Sequence, residues 1–235
     1  MRYNYLNMDP WSADKKECNN KRPPLYICLS GNSGVGKSTL LKKLSTRLFK
    51  QDSYTIAIDE KSVHHSLLPY LFDDTRNYGY LIQLNFMIQR ALIIKSWLDK
   101  GYNLIMERSH LEDYIFISFM YKAGYVNKIQ YDSYIELWKR ISELLIEPDI
   151  IALINYSVDH SLSHLKNDEM QGIRPEEFPN EEMKIKWISG WHAEYQNYVD
   201  NLPEHLSQRV QVCNHPDNIE SFSDKIIQKI MFLRR

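Results

Sequence analysis

The sequence predicts an α/β protein in which a five-stranded parallel sheet lies between two layers of helices. Short apolar runs rich in β-branched residues alternate with longer stretches of helical period, and strands that alternate with helices in this order form parallel sheets. The predicted strands are 25–30, 54–59, 103–108, 149–156 and 209–213. The predicted helices are 37–50, 78–99, 111–123, 130–146, 158–166, 180–200 and 217–233. With 235 residues, 43% of them hydrophobic, the chain suffices for one domain, which we assign to residues 23–235.

The composition and charge of the chain limit the classes of function that it can have. Residues 1–22 are polar and end at Pro23-Pro24, which predicts a flexible N-terminal tail. The chain has no long apolar run, and its three cysteines are scattered. Its 29 basic and 30 acidic residues balance and form no basic stripe. We therefore expect a cytoplasmic protein that binds small molecules, with neither nucleic acid nor membrane as a partner.

A glycine-rich motif follows the first predicted strand and opens the first helix. It reads GNSGVGKST, a full match to G-x-x-x-x-G-K-[ST]. Backbone N–H groups at such a helix start bind phosphate oxygens, the lysine reaches the β- and γ-phosphates, and the first hydroxyl ligates Mg²⁺. The motif predicts the three-layer P-loop NTPase fold and an ATP site formed by Gly31, Asn32, Ser33, Gly34, Val35, Gly36, Lys37, Ser38 and Thr39.

Charged side chains end the second and third predicted strands, on the edge of the sheet that carries the phosphate loop. Phosphoryl transfer to a hydroxyl needs a proton acceptor, a metal ion and fixed positive charge. Glu60 fits the first role, Glu107 the second through water, and Arg108 the third while it orients Glu60. The alternative is that Glu107 and Arg108 form a surface ion pair, worth about 0 to 1 kcal/mol.

The predicted helix 78–99 carries polar groups on an otherwise apolar face. Gln83 and Arg90 are two turns apart, with Phe86 and Met87 between them. Buried amide and guanidinium groups need partners, and a flat heteroaromatic ligand would supply them. A stripe that faces solvent is the alternative.

Segment 167–179 interrupts the helical pattern with Gly172, Pro175 and Pro179. It is either a mobile lid or a solvated loop. The histidines show no convincing ligand spacing, so we predict no metal site for them.

Taken together, these motifs resemble those of the deoxyribonucleoside kinase family from about residue 25 to the C-terminus. The matches are GNSGVGKST, the Q-x6-R of Gln83 and Arg90, and ERSHLEDYIF at 107–116. The resemblance implies that Glu60 is the catalytic base for a 5′-hydroxyl, that Arg108 is its partner and that Glu107 supports Mg²⁺. It also implies that Gln83, Arg90 and Asp113 read the base, which points away from thymidine, and that the enzyme is a homodimer formed through helices.

The sequence departs from this family at two places. The family's lid carries several arginines, whereas only Lys166 and Arg174 are nearby cations here. Phe72 stands where the family usually has a tyrosine for the sugar 3′-hydroxyl, with Tyr70 close by, and the lid glutamate falls near Glu169 or Met170. The expected activity is nonetheless transfer of the γ-phosphate of ATP to a nucleoside or analogue.

Two alternatives stay open at this stage. One is a nucleoside monophosphate kinase of the thymidylate kinase type. The other is a nucleotide-binding protein with weakened catalysis, which the missing lid arginines favour.

Overall fold

The computed structural model describes residues 23–60 and 68–234, and the predicted N-terminal tail 1–22 lies outside them. Five strands form one sheet: β1 (Tyr26–Gly31), β2 (Thr55–Ile58), β3 (Asn103–Glu107), β4 (Ile150–Ile154) and β5 (Val210–Cys213). Every strand pair is parallel, and the order across the sheet is β2-β3-β1-β4-β5. The predicted five-stranded parallel sheet is confirmed.

The helices connect the strands and cover both faces of the sheet. In the described residues they are α1 (Lys37–Gln51), α2 (Leu68–Asp73), α3 (Thr75–Asp99), α4 (His110–Lys122), α5 (Lys128–Ser142), α6 (Val158–Met170), α7 (Glu181–Asp200), α8 (Glu204–Ser207) and α9 (Ile219–Leu233), with a 3-10 turn at Pro216–Asn218. None of these helices has the length and apolarity needed to cross a membrane.

Two predicted helix ends are wrong. Helix α5 ends at Ser142 rather than 146, because Leu144 and Leu145 donate to carbonyls only three residues back and the chain tightens into turns. Helix α6 runs to Met170 rather than 166 and ends just before Gly172, whose φ of 68° a side chain would disfavour. The predicted lid, 166–179, therefore begins with the last turn of a helix.

The core lies on both sides of the sheet. One layer packs α1 and α9 against β1, β3 and β4, through Leu40, Leu44, Ile226 and Ile230 among others. On the other side, α3 packs on β1 and β3, while α4 and α7 join α3 in an aromatic-rich cluster. Each fully buried Leu, Ile or Phe contributes about 1.5 to 3 kcal/mol, so these two layers fix the sheet between them.

The register of the strands brings the functional residues to one edge. Leu29 of β1 pairs with Glu107 of β3, and Ile58 of β2 pairs with Met106. Because the strands are parallel, their carboxyl ends all open on the same rim. Glu60, the end of β3 and the loop after β1 are neighbours for this reason.

Candidate active site

The loop between β1 and α1 makes sharp turns at its glycines. Gly34 and Gly36 have φ angles of 74° and 87°, and Gly36 is the N-cap of α1. A Cβ atom on Gly34 would lie 2.7 Å from the carbonyl oxygen of Ser161, so glycine lets α6 approach the loop. The loop thus presents its backbone at the positive end of α1, the arrangement that binds phosphate.

Lys37, the first residue of α1, folds back across this loop. Its Nζ donates to the carbonyl oxygens of Asn32 (2.7 Å) and Gly31 (3.1 Å). Burial, with a further contribution from the charge of Arg108, lowers the pKa of Lys37 to about 8. The ammonium group is therefore held at the loop by backbone oxygens, ready to exchange them for phosphate oxygens.

Asn32 ties the phosphate loop to α7. Its Nδ2 donates to the carbonyl oxygen of Ile188 at 2.8 Å, and its Oδ1 accepts from the backbone N–H of Ser33 at 2.8 Å. Val35 is buried at 2% exposure, whereas Ser38 and Thr39 are exposed at the start of α1. Packing holds one side of the loop, while Ser38 and Thr39 are open to solvent.

Arg108 and Glu60 meet at the carboxyl ends of β3 and β2. Arg108 Nε lies 2.6 Å from Glu60 Oε1. Among the described non-glycine residues, Arg108 alone has a positive φ, 63°, a left-handed conformation that costs about 1 to 2 kcal/mol. Burial would raise the pKa of the Glu60 carboxyl, but the charges of Arg108 and Lys37 outweigh it and lower the pKa to about 2. Glu60 is therefore an ionised carboxylate at neutral pH.

Glu107 and Arg108 are both buried, so the surface ion pair considered from sequence is wrong. Burial raises the pKa of Glu107, opposed by the charge of Lys37 and by a hydrogen bond with Ser38. Its Oε1 is buried and has no hydrogen-bond partner among the described residues. The two neighbouring side chains thus lie in different places: Glu107 is beside the phosphate loop, and Arg108 is beside Glu60.

The polar groups predicted on helix α3 are buried. Gln83 and Arg90 are each 1% exposed, and Phe86 and Met87 between them are also buried, so the solvent-facing stripe is wrong. Arg90 Nη1 forms an ion pair with Asp113 Oδ1 of α4, which is fully buried as well. The structure thus buries all three residues, which we call the buried cluster, and pairs Arg90 with Asp113.

Part of this cluster lacks internal partners. Gln83 Oε1 and Asp113 Oδ2 are buried, and no described residue forms a hydrogen bond with either atom. Burial raises the pKa of the Asp113 carboxyl although the charge of Arg90 opposes it. Buried polar atoms without partners are costly unless a ligand satisfies them, so the cluster has the chemistry of a recognition site.

The two aromatic residues expected near the sugar lie in different places. Phe72 is buried, with its ring centroid 4.6 Å from that of Phe178 and 5.2 Å from that of Trp187. Tyr70 is 53% exposed and contacts Tyr78, so the structure does not bring it to the buried cluster.

The three residues expected in the lid have separate surroundings. Lys166 is exposed on α6, and Arg174 Nη2 pairs with Glu177 Oε2 at 2.8 Å. Glu169 Oε2 accepts from Lys184 Nζ at 2.7 Å, which joins the end of α6 to the start of α7. Lys184, which the sequence did not single out, is thus the cation that holds Glu169.

The residues that surround Arg108 were not predicted from the sequence. Tyr195 OH accepts from Arg108 Nη1 at 2.6 Å, Glu112 Oε1 lies 3.7 Å from the same nitrogen, and Phe116 and Trp191 lie against the guanidinium. Trp191 and Tyr195 are four residues apart on α7, the spacing of one helix face. That spacing predicts that both residues lie on a buried face of the helix, but it does not indicate which strand end this face covers.

These features define a class of protein. A P-loop at the end of the first strand, an ionised carboxylate paired with a buried arginine on the same rim, and a buried polar recognition cluster make up a small-molecule kinase of the P-loop fold.

Comparison with known proteins places the chain more closely. The family model described as deoxynucleoside kinase matches residues 27–232, and the chain belongs to that family. The predicted family and the predicted enzyme class, a nucleoside kinase, are thereby confirmed.

Individual relatives agree with this family. The chain is 24% identical over 212 residues to the deoxyadenosine/deoxycytidine kinase of Bacillus subtilis, covering 87% of this chain and 92% of the relative. It is 31% identical over 145 residues to the deoxyguanosine kinase of Lactobacillus acidophilus, covering 60% of this chain and 61% of the relative. The structure of deoxyadenosine kinase from M. mycoides with bound dATP superposes with a TM-score of 0.70 at 19% identity, covering 88% of this chain and 99% of that one.

Proposed function

We propose that this deoxynucleoside kinase transfers the γ-phosphate of ATP to the 5′-hydroxyl of a deoxynucleoside other than thymidine. The observation that supports it best is the ion pair between Arg108 and Glu60 on the rim that carries the phosphate loop. An ionised carboxylate beside the loop is what deprotonation of an attacking hydroxyl requires.

Glu60 is the general base in this mechanism, and Arg108 keeps it ionised. The 5′-hydroxyl donates its proton to Glu60 as its oxygen attacks the γ-phosphorus atom and the bond to ADP breaks. The low pKa of Glu60 in the free enzyme means that the group is always in the accepting form. Arg108 supplies fixed positive charge where negative charge spreads in the transition state.

Lys37 and the loop backbone hold the donor. The N–H groups at the start of α1 bind the phosphate oxygens, and Lys37 bonds the β- and γ-phosphates in place of the carbonyls of Gly31 and Asn32. ATP is the donor that fits this loop.

The residues beside the loop fit a magnesium ion. Mg²⁺ usually binds one or two protein oxygen ligands together with substrate phosphates and water. Ser38 is exposed at the start of α1, and the buried Oε1 of Glu107 has no hydrogen-bond partner among the described residues. These two side chains would hold the ion, Glu107 through water, and the ion would neutralise charge on the transferring phosphate.

The buried cluster on α3 and α4 reads the base. Asp113 Oδ2 accepts from an exocyclic amino group, Arg90 donates, and the Gln83 amide does both. Adenine and cytosine carry an amino group, and guanine offers acceptors to the guanidinium, whereas thymine has a carbonyl where cytosine has its amino group. Phe86 stacks on the ring. The named kinases of B. subtilis and L. acidophilus act on such deoxynucleosides, which supports this selection.

On the lid side, Lys166, Glu169 and Arg174 are the residues we expect to act when the donor binds. Glu169 lies on α6, the helix that contacts the phosphate loop, and it accepts from Lys184 of α7. Phe72, whose ring packs on Phe178 of the same segment, is the residue we expect on the sugar side, whereas Tyr70 contacts Tyr78.

We place the active enzyme in the cytoplasm as a homodimer. Cys28 and Cys213 are buried free thiols, in keeping with a reducing compartment. Helix α3 presents an exposed apolar stripe made of Tyr78, Leu81, Ile88 and Leu92, and a second copy of the chain would cover it.

The direct test is ATP consumption with Mg²⁺ against a panel of ribo- and deoxynucleosides and their monophosphates, with Lys37→Ala as the blank. We expect turnover that depends on Lys37 with deoxyadenosine, deoxycytidine or deoxyguanosine, and little with thymidine. Turnover only with monophosphates, or none with any nucleoside while ATP still binds, would overturn the proposal.

A further inference from the structure

The buried side of Arg108, turned away from Glu60, contacts a second carboxylate. Glu112 is 1% exposed and lies on the first turn of α4. Its Oε2 accepts from the backbone N–H of Ser109 at 2.8 Å, which completes the capping box of α4. Its Oε1 accepts from Ser30 Oγ at 2.9 Å and lies 3.7 Å from Arg108 Nη1. One carboxylate therefore ties together the end of β1, the start of α4 and the guanidinium.

Tyr195 of α7 bridges the arginine and this carboxylate. Its hydroxyl donates to Glu112 Oε1 at 2.5 Å and accepts from Arg108 Nη1 at 2.6 Å. Arg108 Nη1 also donates to the carbonyl oxygen of Gly31 at 3.2 Å. Arg108 Nη1 thus donates to one acceptor on β1 and one on α7, and the Tyr195 hydroxyl both donates and accepts a hydrogen bond.

Two stacked aromatic rings pack against one side of the guanidinium. The Arg108 Cζ atom lies 4.7 Å from the ring centroid of Phe116 and 5.3 Å from that of Trp191, and the two centroids are 4.6 Å apart. These ring contacts and the hydrogen bonds at Nη1 restrict rotation of the guanidinium. Its Nε lies 2.6 Å from Glu60 Oε1 in this arrangement.

We propose that Tyr195 and Glu112 are positioning residues for phosphoryl transfer, which hold Arg108 in the orientation that binds Glu60. The inference rests on the proposed roles of Glu60 and Arg108. Stability alone does not explain the arrangement, because buried ion pairs are often replaced by apolar side chains without loss of stability. Arg108 also has a strained backbone, which is characteristic of a residue held for function.

The first test is Tyr195→Phe, with Tyr198→Phe as its matched control. Both changes remove one hydroxyl from α7, but only the Tyr195 hydroxyl hydrogen-bonds Arg108 and Glu112, whereas Tyr198 lines a pocket with Tyr114 and Trp138. We expect kcat to fall about tenfold or more in Tyr195→Phe, the effect of one hydrogen bond to a charged group, while the KM values for ATP and the deoxynucleoside change little. The control should keep the wild-type kcat.

A second readout separates positioning from folding. The charges of Arg108, Lys37 and Arg90 lower the pKa of Glu60, whereas the carboxylates of Glu107 and Asp113 oppose that effect. Once Arg108 is loosened, burial dominates and the pKa of Glu60 rises. The ratio of the variant kcat to the wild-type kcat, which cancels the titration of ATP itself, should therefore decrease as the pH is lowered.

Glu112→Gln tests the other positioning residue without breaking the helix start. Glutamine at this position can still complete a capping box, so the variant should keep a near-normal Tm. We expect the same loss of kcat and the same change with pH.

The possible outcomes are distinct. Wild-type kcat and an unchanged pH ratio in Tyr195→Phe and Glu112→Gln, even with a lower Tm, would overturn the inference and leave both side chains with a role in stability alone. A wild-type protein without turnover on any nucleoside would overturn the proposed function, and this inference with it.

Discussion

Lys37 sets the response of the free enzyme to alkaline pH. Its ammonium group must be protonated to bind the ATP phosphates, and burial lowers its pKa to about 8 before ATP binds. We therefore predict that kcat/KM for ATP, which reports the enzyme form to which ATP binds, decreases as the pH rises through about 8. Bound phosphates stabilise the charged form, so kcat should decrease only at higher pH.

The measurement is a pH series of initial rates with ATP varied and the deoxynucleoside at saturation. Lys37→Arg serves as the comparison, because a guanidinium stays protonated throughout this range. Whatever its absolute rate, its kcat/KM for ATP should show no decrease near pH 8. A wild-type profile that stays flat to pH 9.5 would contradict the assigned role.

Individual site residues could be predicted where a motif or a strand end marks them. Lys37 belongs to a spaced motif, and Glu60 and Arg108 follow strands whose ends must share a rim. Neither a motif nor a strand end identifies Tyr195 or Glu112. In the sequence, Glu112 looks like an ordinary helix-capping residue. Because Tyr195 is far from it along the chain, only the packing of α4 against α7 brings the two residues together.

At the scale of elements, α4 and α7 approach closely at Gly190. A Cβ atom there would lie 2.2 Å from Cε2 of Phe119, whose ring is packed against Trp187 and Trp191. Alanine favours a helix over glycine by about 1 kcal/mol, but overpacking a core costs about 1 to 3 kcal/mol. We expect Gly190→Ala to lower the Tm because the ring has no room to move, whereas Ile185→Ala on the exposed face of α7 should change it little.

Thermal unfolding followed by circular dichroism measures both variants. An unchanged or higher Tm in Gly190→Ala would show that α4 and α7 separate easily. The positions of Trp191 and Tyr195 would then be less firmly fixed than the contacts indicate.

The elements themselves were largely evident from periodicity, but their ends were not. Helix α3 begins at Thr75, three residues before the predicted start, because Asp74 caps it by accepting from the N–H of Asn77. Helix α6 continues through residues whose charge suggested a loop. The ends of helices depend on local capping hydrogen bonds, and the periodicity of hydrophobic residues does not predict these bonds.

At the scale of the whole molecule, an exposed apolar stripe runs along α3 in the described part of the chain. Leu81 and Leu92 are 61% and 63% exposed, and Tyr78 and Ile88 lie on the same face. We predict that Leu81→Glu combined with Leu92→Glu converts a dimer into a monomer, because two carboxylates per chain cannot be buried against their copies.

Light scattering coupled to size exclusion measures the mass. The control is Met231→Glu with Phe232→Glu on α9, which are also exposed but belong to a helix packed on the opposite face of the sheet. Dimers in both double variants, or monomers in the wild type, would contradict an interface on α3.

The whole fold was the most predictable level. Alternation of strands and helices implied the parallel sheet, and parallel strands in turn implied that the phosphate loop, Glu60 and Arg108 share an edge. The strand order and the covering of Arg108 by α7 could not be predicted, because they depend on contacts between segments far apart in the sequence.

The most direct test of the proposed mechanism is to measure single-turnover phosphoryl transfer by Glu60→Gln, with ATP binding measured in parallel. Glutamine keeps the size and a hydrogen-bonding oxygen but cannot accept the 5′-hydroxyl proton as a carboxylate can. The account predicts that transfer falls by about 10² to 10⁴-fold, the contribution of a general base, while the Kd for ATP stays within a few-fold of wild type. Transfer at the wild-type rate would contradict the assignment of Glu60 as the base and of Arg108 as the residue that keeps it ionised.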